Sequence, residues 1–104
     1  MTKNKIVFAM TAALLLNGTG ALAEQPSEAR GMELFSNPGL GASQNAISCA
    51  TCHPDGKGME KAAANPRLTE MINRCITGPL KGEPLSAESV AMQSLELYLN
   101  SLAK

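Results

Sequence analysis

A chain of 104 residues with three Cys, nine basic and nine acidic side chains holds at most one small domain. It has no basic stripe to neutralise phosphates, which argues against a nucleic-acid partner. With two Phe, one Tyr and no Trp, a domain of this size buries little core and calls for a staple: disulfides, a metal or a cofactor.

The chain opens with Lys3 and Lys5, followed by an apolar run from Ile6 to Leu16 whose sole polar side chain is Thr11. Asn17 to Gly20 relaxes the run, and Ala21-Leu22-Ala23 offers the small-x-small pattern of a signal-peptidase site. The competing reading, an uncleaved anchor, needs roughly 20 apolar residues, against 11 here. The expectation is a signal peptide over 1–23 and a mature domain over 24–104, exported to the periplasm and without a stable membrane span after cleavage. That domain keeps seven basic and nine acidic side chains, net −2.

The first helix is predicted from Pro26 to Phe35, with Pro26 at its first position and Glu28 near its positive end. Ala29, Met32 and Phe35 mark its apolar face, and Asn37-Pro38-Gly39 stops it. A polar loop from Gly41 to Asn45 leads to Ile47–His53, and Pro54 to Gly58 makes a turn-rich exit. Met59 to Ala64 suits a short helix ended by Asn65-Pro66. The next helix is predicted from Arg67 to Ile76, with Leu68, Met71, Ile72, Cys75 and Ile76 as its apolar stripe and Gly78-Pro79 as its stop. Leu80 to Leu85 is a loop. The last helix is predicted from Ser86 to Leu102, with Ser86 as N-cap and Ala91, Met92, Leu95, Tyr98, Leu99 and Leu102 buried. No strand-like alternation and no repeat is present.

Cys49-Ala50-Thr51-Cys52-His53 has the C-x-x-C-H spacing of c-type haem attachment. Two thiols three positions apart lie on one side of a helical turn, from which they can add to the two vinyl groups on one porphyrin edge. His53 then offers its imidazole to the iron as proximal ligand. Three other readings of the pair are weaker. Zinc needs more ligands than one Cys pair and the single His supply. A thioredoxin-like couple needs a βαβ context, and a disulfide across two residues closes too short a loop to stabilise much. Export agrees with haem attachment, because c-type haem is added outside the cytoplasm.

From Pro26 to Leu102 the chain resembles a class I cytochrome c. Gly31 to Phe35 looks like that family's first helix and Leu95 to Leu99, with Tyr98, like its last. The resemblance implies that these helices cross at a small Gly with aromatics around the contact. The implied architecture is all-α: a small cytochrome c-like fold of four short helices wrapped around one covalent haem c, which supplies the missing hydrophobic centre. Such a family normally draws its second axial ligand, a Met, from the loop before the last helix. Thr77 to Leu85 contains none.

The candidates for that position are therefore Cys75, Met71, Met59 and Met92, or a weakly held site near Asn73 or a Lys. Two Cys are consumed by attachment, so Cys75 is left over in an exported protein. Otherwise it is a small hydrophobe on its helix stripe. Ile72-Asn73-Arg74-Cys75, then Gly82-Glu83-Pro84-Leu85, then Ser89, Met92, Leu95 and Tyr98, resembles the tail of haem domains in thiosulfate dehydrogenases and related sulfur-oxidising cytochromes. That resemblance implies Cys75 as an axial thiolate. The chain departs from it in the shorter stretch between His53 and Ile72 and in lacking a second haem domain. A thiolate lowers the reduction potential and a thioether raises it.

Arg67 and Arg74 are candidates for pairing with haem propionates, and Arg74 for stabilising a Cys75 thiolate. Asp55, Lys57, Glu60 and Lys61 are either a docking surface or solvated loop charges. No catalytic triad or carboxylate dyad is legible, so the expectation is an electron carrier rather than an enzyme, serving redox partner proteins in the periplasm. The alternatives are a haem subunit of a sulfur-compound (thiosulfate-type) oxidoreductase and a haem-based binder of small ligands.

Overall fold

The structure, a computed structural model, describes residues 24–103; the segment read as a signal peptide, 1–23, and Lys104 lie outside the described residues. Four α-helices are described: α1 Glu28–Phe35, α2 Cys49–Cys52, α3 Leu68–Thr77 and α4 Val90–Leu102. Short 3₁₀ turns at Leu40–Ala42, Pro54–Gly56 and Ala62–Ala64 link them, and the described residues contain no strand. The all-α expectation is met. Among the described residues no helix is long and apolar enough to cross a membrane.

Both long-range helix starts differ from the sequence expectation by a serine. α1 begins after Ser27, whose hydroxyl accepts the Arg30 N–H at 3.0 Å, so Pro26 precedes the cap instead of opening the helix. α4 begins after Ser89, whose hydroxyl accepts the Met92 N–H at 3.0 Å. Ser86 sits one turn earlier, its carbonyl accepting the Ser89 N–H and hydroxyl. In each case the serine that caps is the one next to a turn whose N–H groups would otherwise be orphaned. The helix expected over Met59–Ala64 shortens to the 3₁₀ turn, closed by the Asn65 N–H donating to the Ala62 carbonyl at 2.9 Å.

The buried face of α1 is Gly31, Leu34 and Phe35, and not Ala29, Met32 and Phe35: Ala29 is exposed and Met32 keeps 54% of its surface. The cause is the crossing with α4. A Cβ on Gly31 would lie 2.0 Å from the Ser94 carbonyl oxygen and 2.7 Å from the Tyr98 Cβ. Only a residue without a side chain lets the two backbones come this close. The contact turns Leu34 and Phe35 inward and fixes the rotation of α1. Beside it the Phe35 and Tyr98 rings pack with centroids 5.2 Å apart and planes tilted by 59°, a geometry aromatic rings favour. The Ser94 hydroxyl, fully buried, accepts the Ser27 N–H at 3.1 Å and ties the start of α1 to the middle of α4.

α3 presents the stripe read from its sequence. Ile72 and Ile76 join Leu40, Leu80, Met92, Leu95 and Leu99 in the core, while Leu68, Met71 and Cys75 remain half-buried. The Thr69 hydroxyl donates to the Glu96 carboxylate at 2.5 Å and links α3 to α4. After α3, residues 78–85 form a strap folded back on the domain. The Gly82 N–H donates to Ile76 at 2.7 Å and the Glu83 N–H to Gly41 at 2.7 Å. Gly41 takes φ +67 where its backbone meets Glu83 and Ile76, so the loop that was expected to be merely polar is a packed buttress for the strap. Replacing Gly31 by Val is expected to lower stability by at least about 3 kcal/mol through overpacking at the helix crossing, measured by chemical denaturation; unchanged stability would contradict the crossing.

Candidate functional site

An apolar cleft opens between α2 and α3, over the α1–α4 crossing. Phe35, Leu95 and Leu99 form its floor, Cys49, Cys52 and His53 one side, Met71, Ile72 and Cys75 the α3 side, and Pro79 and Leu80 of the strap another edge, with Met59 also lining it. It encloses about 570 Å³ of space outside protein atoms, part of it continuous with solvent.

The C-x-x-C-H segment is held by its own turn chemistry. Ser48 and Thr51 bracket α2: the Thr51 hydroxyl accepts the Ser48 N–H at 2.9 Å, and the Thr51 N–H donates to the Ser48 carbonyl at 3.1 Å. The residue at the second x thus caps the turn that carries both thiols, a role the spacing alone did not reveal. The single turn ends with the His53 N–H donating to Cys49 at 3.0 Å. The chain then leaves through Asp55 at φ +55 and Gly56 at φ +77, the second of which is pressed against the Leu102 side chain.

This exit turns the main chain back onto His53. Its Nδ1 lies 2.9 Å from the Lys57 carbonyl oxygen. A carbonyl oxygen only accepts, so the bond places the proton on Nδ1 and leaves the Nε2 lone pair for a ligand. A neighbour of this kind on the second ring nitrogen is what orients metal-binding imidazoles. Gly58, at φ +88, provides the room: a Cβ there would come within 3.3 Å of Nδ1. The Glu60 carboxylate accepts the Gly58 N–H at 3.1 Å and holds this loop. Of the four charges read as docking surface or solvated loop, Glu60 and the backbone of Lys57 therefore serve the histidine.

The structure brings Cys49, Cys52, His53, Cys75, Met71 and Met59 to one cleft and leaves Met92 out. Met92 is fully buried between α4 and the core and does not line the cleft. Asn73 is likewise occupied elsewhere, its amide bonded to the Leu85 main chain. Arg67 pairs with Glu70 at 3.3 Å on the surface, and neither it nor Arg74 is among the residues lining the cleft.

All three cysteines are free thiols. Burial first, then the neighbouring Cys75, pushes the Cys49 thiol up to about 11. Burial and the nearby Cys52 also raise Cys75, and the Arg74 guanidinium opposes them without reversing the shift. Cys49 and Cys75 therefore stay protonated near neutral pH unless a metal draws the proton off. Among the described residues no three His, Cys, Asp or Glu side chains are gathered closely enough to hold a metal ion by themselves. The sulfur and imidazole groups border an apolar cleft instead of converging on a point.

No protein-family model, curated protein or solved structure matches the chain. The ionisation of Cys49 has two measurable consequences. In the chain with free thiols, iodoacetamide is expected to label exposed Cys52 ahead of half-buried Cys49 near neutral pH, with Cys49 reactivity rising through about pH 11. Folded Cys49 retains its proton above the ordinary value of 9.0, so its contribution to stability is complete below that pH and is lost as pH rises from 9.0 towards about 11; denaturation midpoints across that window test the sign.

Proposed function

We propose that this chain is an exported monohaem c-type cytochrome that transfers electrons between protein partners in the periplasm. Cys49 and Cys52 would hold the haem through two thioether bonds, His53 would bind the iron on one face, and Cys75 would bind it on the other, with Met71 and Met59 as the alternatives on the same cleft. Bound there, the haem supplies a one-electron couple. The observation that carries the reading is His53: its Nδ1 is committed to the Lys57 carbonyl at 2.9 Å, and it stands beside two free thiols at the edge of an apolar cleft.

The residues present fit the group. The cleft is lined almost wholly by apolar side chains, as a porphyrin face requires. The helix crossing at Gly31 and the Phe35–Tyr98 pair support the resemblance to class I cytochromes c. The chain's own residues do the rest of the work. The Lys57 carbonyl keeps the imidazole in one tautomer and orientation, the Ser48–Thr51 cap holds the thiols on one turn, and Phe35, Leu95 and Leu99 exclude water from beneath the site. His53 and a sulfur side chain, both engaged with the group, would leave no site for a substrate, which favours electron transfer over substrate chemistry. Cys75 as a thiolate favours ferric iron and a low potential, and Arg74 beside it partly offsets its charge.

Expressed with its N-terminal segment in a host that attaches haem, the chain is expected to be coloured and to keep its haem after acid extraction. Cys49→Ala and Cys52→Ala are expected to impair that retention; normal acid-stable haem in both overturns the attachment scheme. Cys75→Ala is expected to change the ferric spectrum and raise the potential, and electron paramagnetic resonance of the oxidised protein distinguishes thiolate, thioether and open ligation. An unchanged low-spin spectrum in that variant removes Cys75 as the ligand.

A further inference from the structure

Asn73 stands two positions before Cys75 and two after Met71, yet it takes no part in the cleft. Its side-chain oxygen accepts the Leu85 N–H at 2.7 Å, and its side-chain nitrogen donates to the Leu85 carbonyl at 2.9 Å. One amide thus closes a ring with both main-chain groups of a single residue in the strap. Few side chains can do this. The ring needs a donor and an acceptor side by side on a short stem: ionised Asp has no donor, and Ser and Thr have one oxygen. The pair is half-buried, where such bonds gain strength and an unmet partner is costly.

The position of the ring on the helix is what matters. At 3.6 residues per turn, Asn73 lies about 200° around α3 from Cys75, and about the same from Met71. Met71 and Cys75 are four apart and share the opposite face. Anchoring α3 by Asn73 on its outer side therefore fixes the roll of the helix that carries the two sulfur side chains. The main-chain bonds of the strap start later: Leu80 donates to the Cys75 carbonyl at 3.2 Å and Gly82 to Ile76 at 2.7 Å. They hold α3 from Cys75 onward, and the Asn73 ring adds a side-chain tie on the opposite face of the same turn. Leu85 also lies just ahead of the segment leading into α4, so the ring couples α3, the strap and the start of the last helix.

We propose that Asn73 is a positioning residue for the sulfur ligand: the Asn73–Leu85 ring sets the roll of α3 and so fixes which sulfur is presented at the cleft, and how firmly. The inference rests on the cytochrome reading and deepens it. Without the ring, α3 keeps its Ile72 and Ile76 packing and its Thr69–Glu96 tie but loses a restraint on its roll, so Cys75 is held less firmly and Met71 competes with it. His53 and the thioether attachments, which sit on α2 and the following loop, are left untouched.

The test compares the haem-loaded wild type with Asn73→Ala and Asn73→Asp. The Leu85 amide of Asn73→Ala is expected to exchange its hydrogen at least about ten-fold faster, as loss of two partly buried bonds implies. Its ferric protein is expected to show a second axial-ligand population by electron paramagnetic resonance and to bind added imidazole about ten-fold faster, with acid-stable haem content unchanged. Asn73→Asp, which keeps the 2.7 Å bond from the Leu85 N–H and loses the other, is expected to retain the larger share of the wild-type signal and to serve if the Ala variant fails to fold. Wild-type resonance signals and imidazole binding in the variants, alongside faster Leu85 exchange, would reduce the ring to a structural tie and overturn the inference alone. Unchanged Leu85 exchange in Asn73→Ala would remove the ring itself. A colourless wild-type chain overturns the cytochrome reading, and this inference with it.

Discussion

The close approach of α1 and α4 at Gly31 is the constraint on which the rest of this structure depends. A domain with two aromatic residues among those described has little apolar mass with which to hold helices together. It compensates by bringing two backbones into contact where one residue has no side chain. That contact fixes the rotation of both helices and pairs Phe35 with Tyr98. It also places Phe35, Leu95 and Leu99 together as a floor. Above the floor, the cysteine turn on one side and α3 with its strap on the other line the apolar cleft.

That space explains the character of the loops. The buried core is ten residues, among them Phe35, Ile76, Met92, Leu95 and Leu99, and α2 consists of one turn. Short helices and 3₁₀ turns are weakly stable by themselves. Here they are secured by local hydrogen bonds whose partners are close in sequence: Ser48 with Thr51, His53 with Lys57, Gly58 with Glu60. The strap is secured differently, by bonds to Gly41, Ile76 and Asn73, which are distant along the chain. The side of the cleft that carries the C-x-x-C-H motif is thus locally determined, and the opposite side is held by tertiary contacts. In the proposed cytochrome this division separates a fixed attachment and proximal ligand from an adjustable distal one.

Cysteine ionisation does not follow that division. Burial raises both Cys49 and Cys75, and each feels another thiol across or along the cleft. A protein using Cys75 as a free nucleophile would need the opposite shift. Arg74 pulls Cys75 in the direction of the thiolate, but solvent takes up much of the field of an exposed guanidinium.

Several features were legible in the order of residues alone, because they depend on neighbours. The stripe on α3, its stop at Gly78-Pro79, the apolar face of α4 and the C-x-x-C-H turn all follow from helical periodicity and turn chemistry acting within a few positions. The likeness of the first and last helices to a crossing pair pointed to Gly31 as well. Other features were decided only by the tertiary structure. Which serine caps α1 and α4, and which face α1 buries, depended on where the two backbones meet: Ala29-Met32-Phe35 and Gly31-Leu34-Phe35 fit the same period equally well, and only the contact with Ser94 and Tyr98 chooses between them. The fate of the sulfurs was open for the same reason. Met92 and Cys75 each lie on an apolar stripe, yet packing buries one in the core and turns the other to the cleft, because a stripe states that a face is covered and not what covers it.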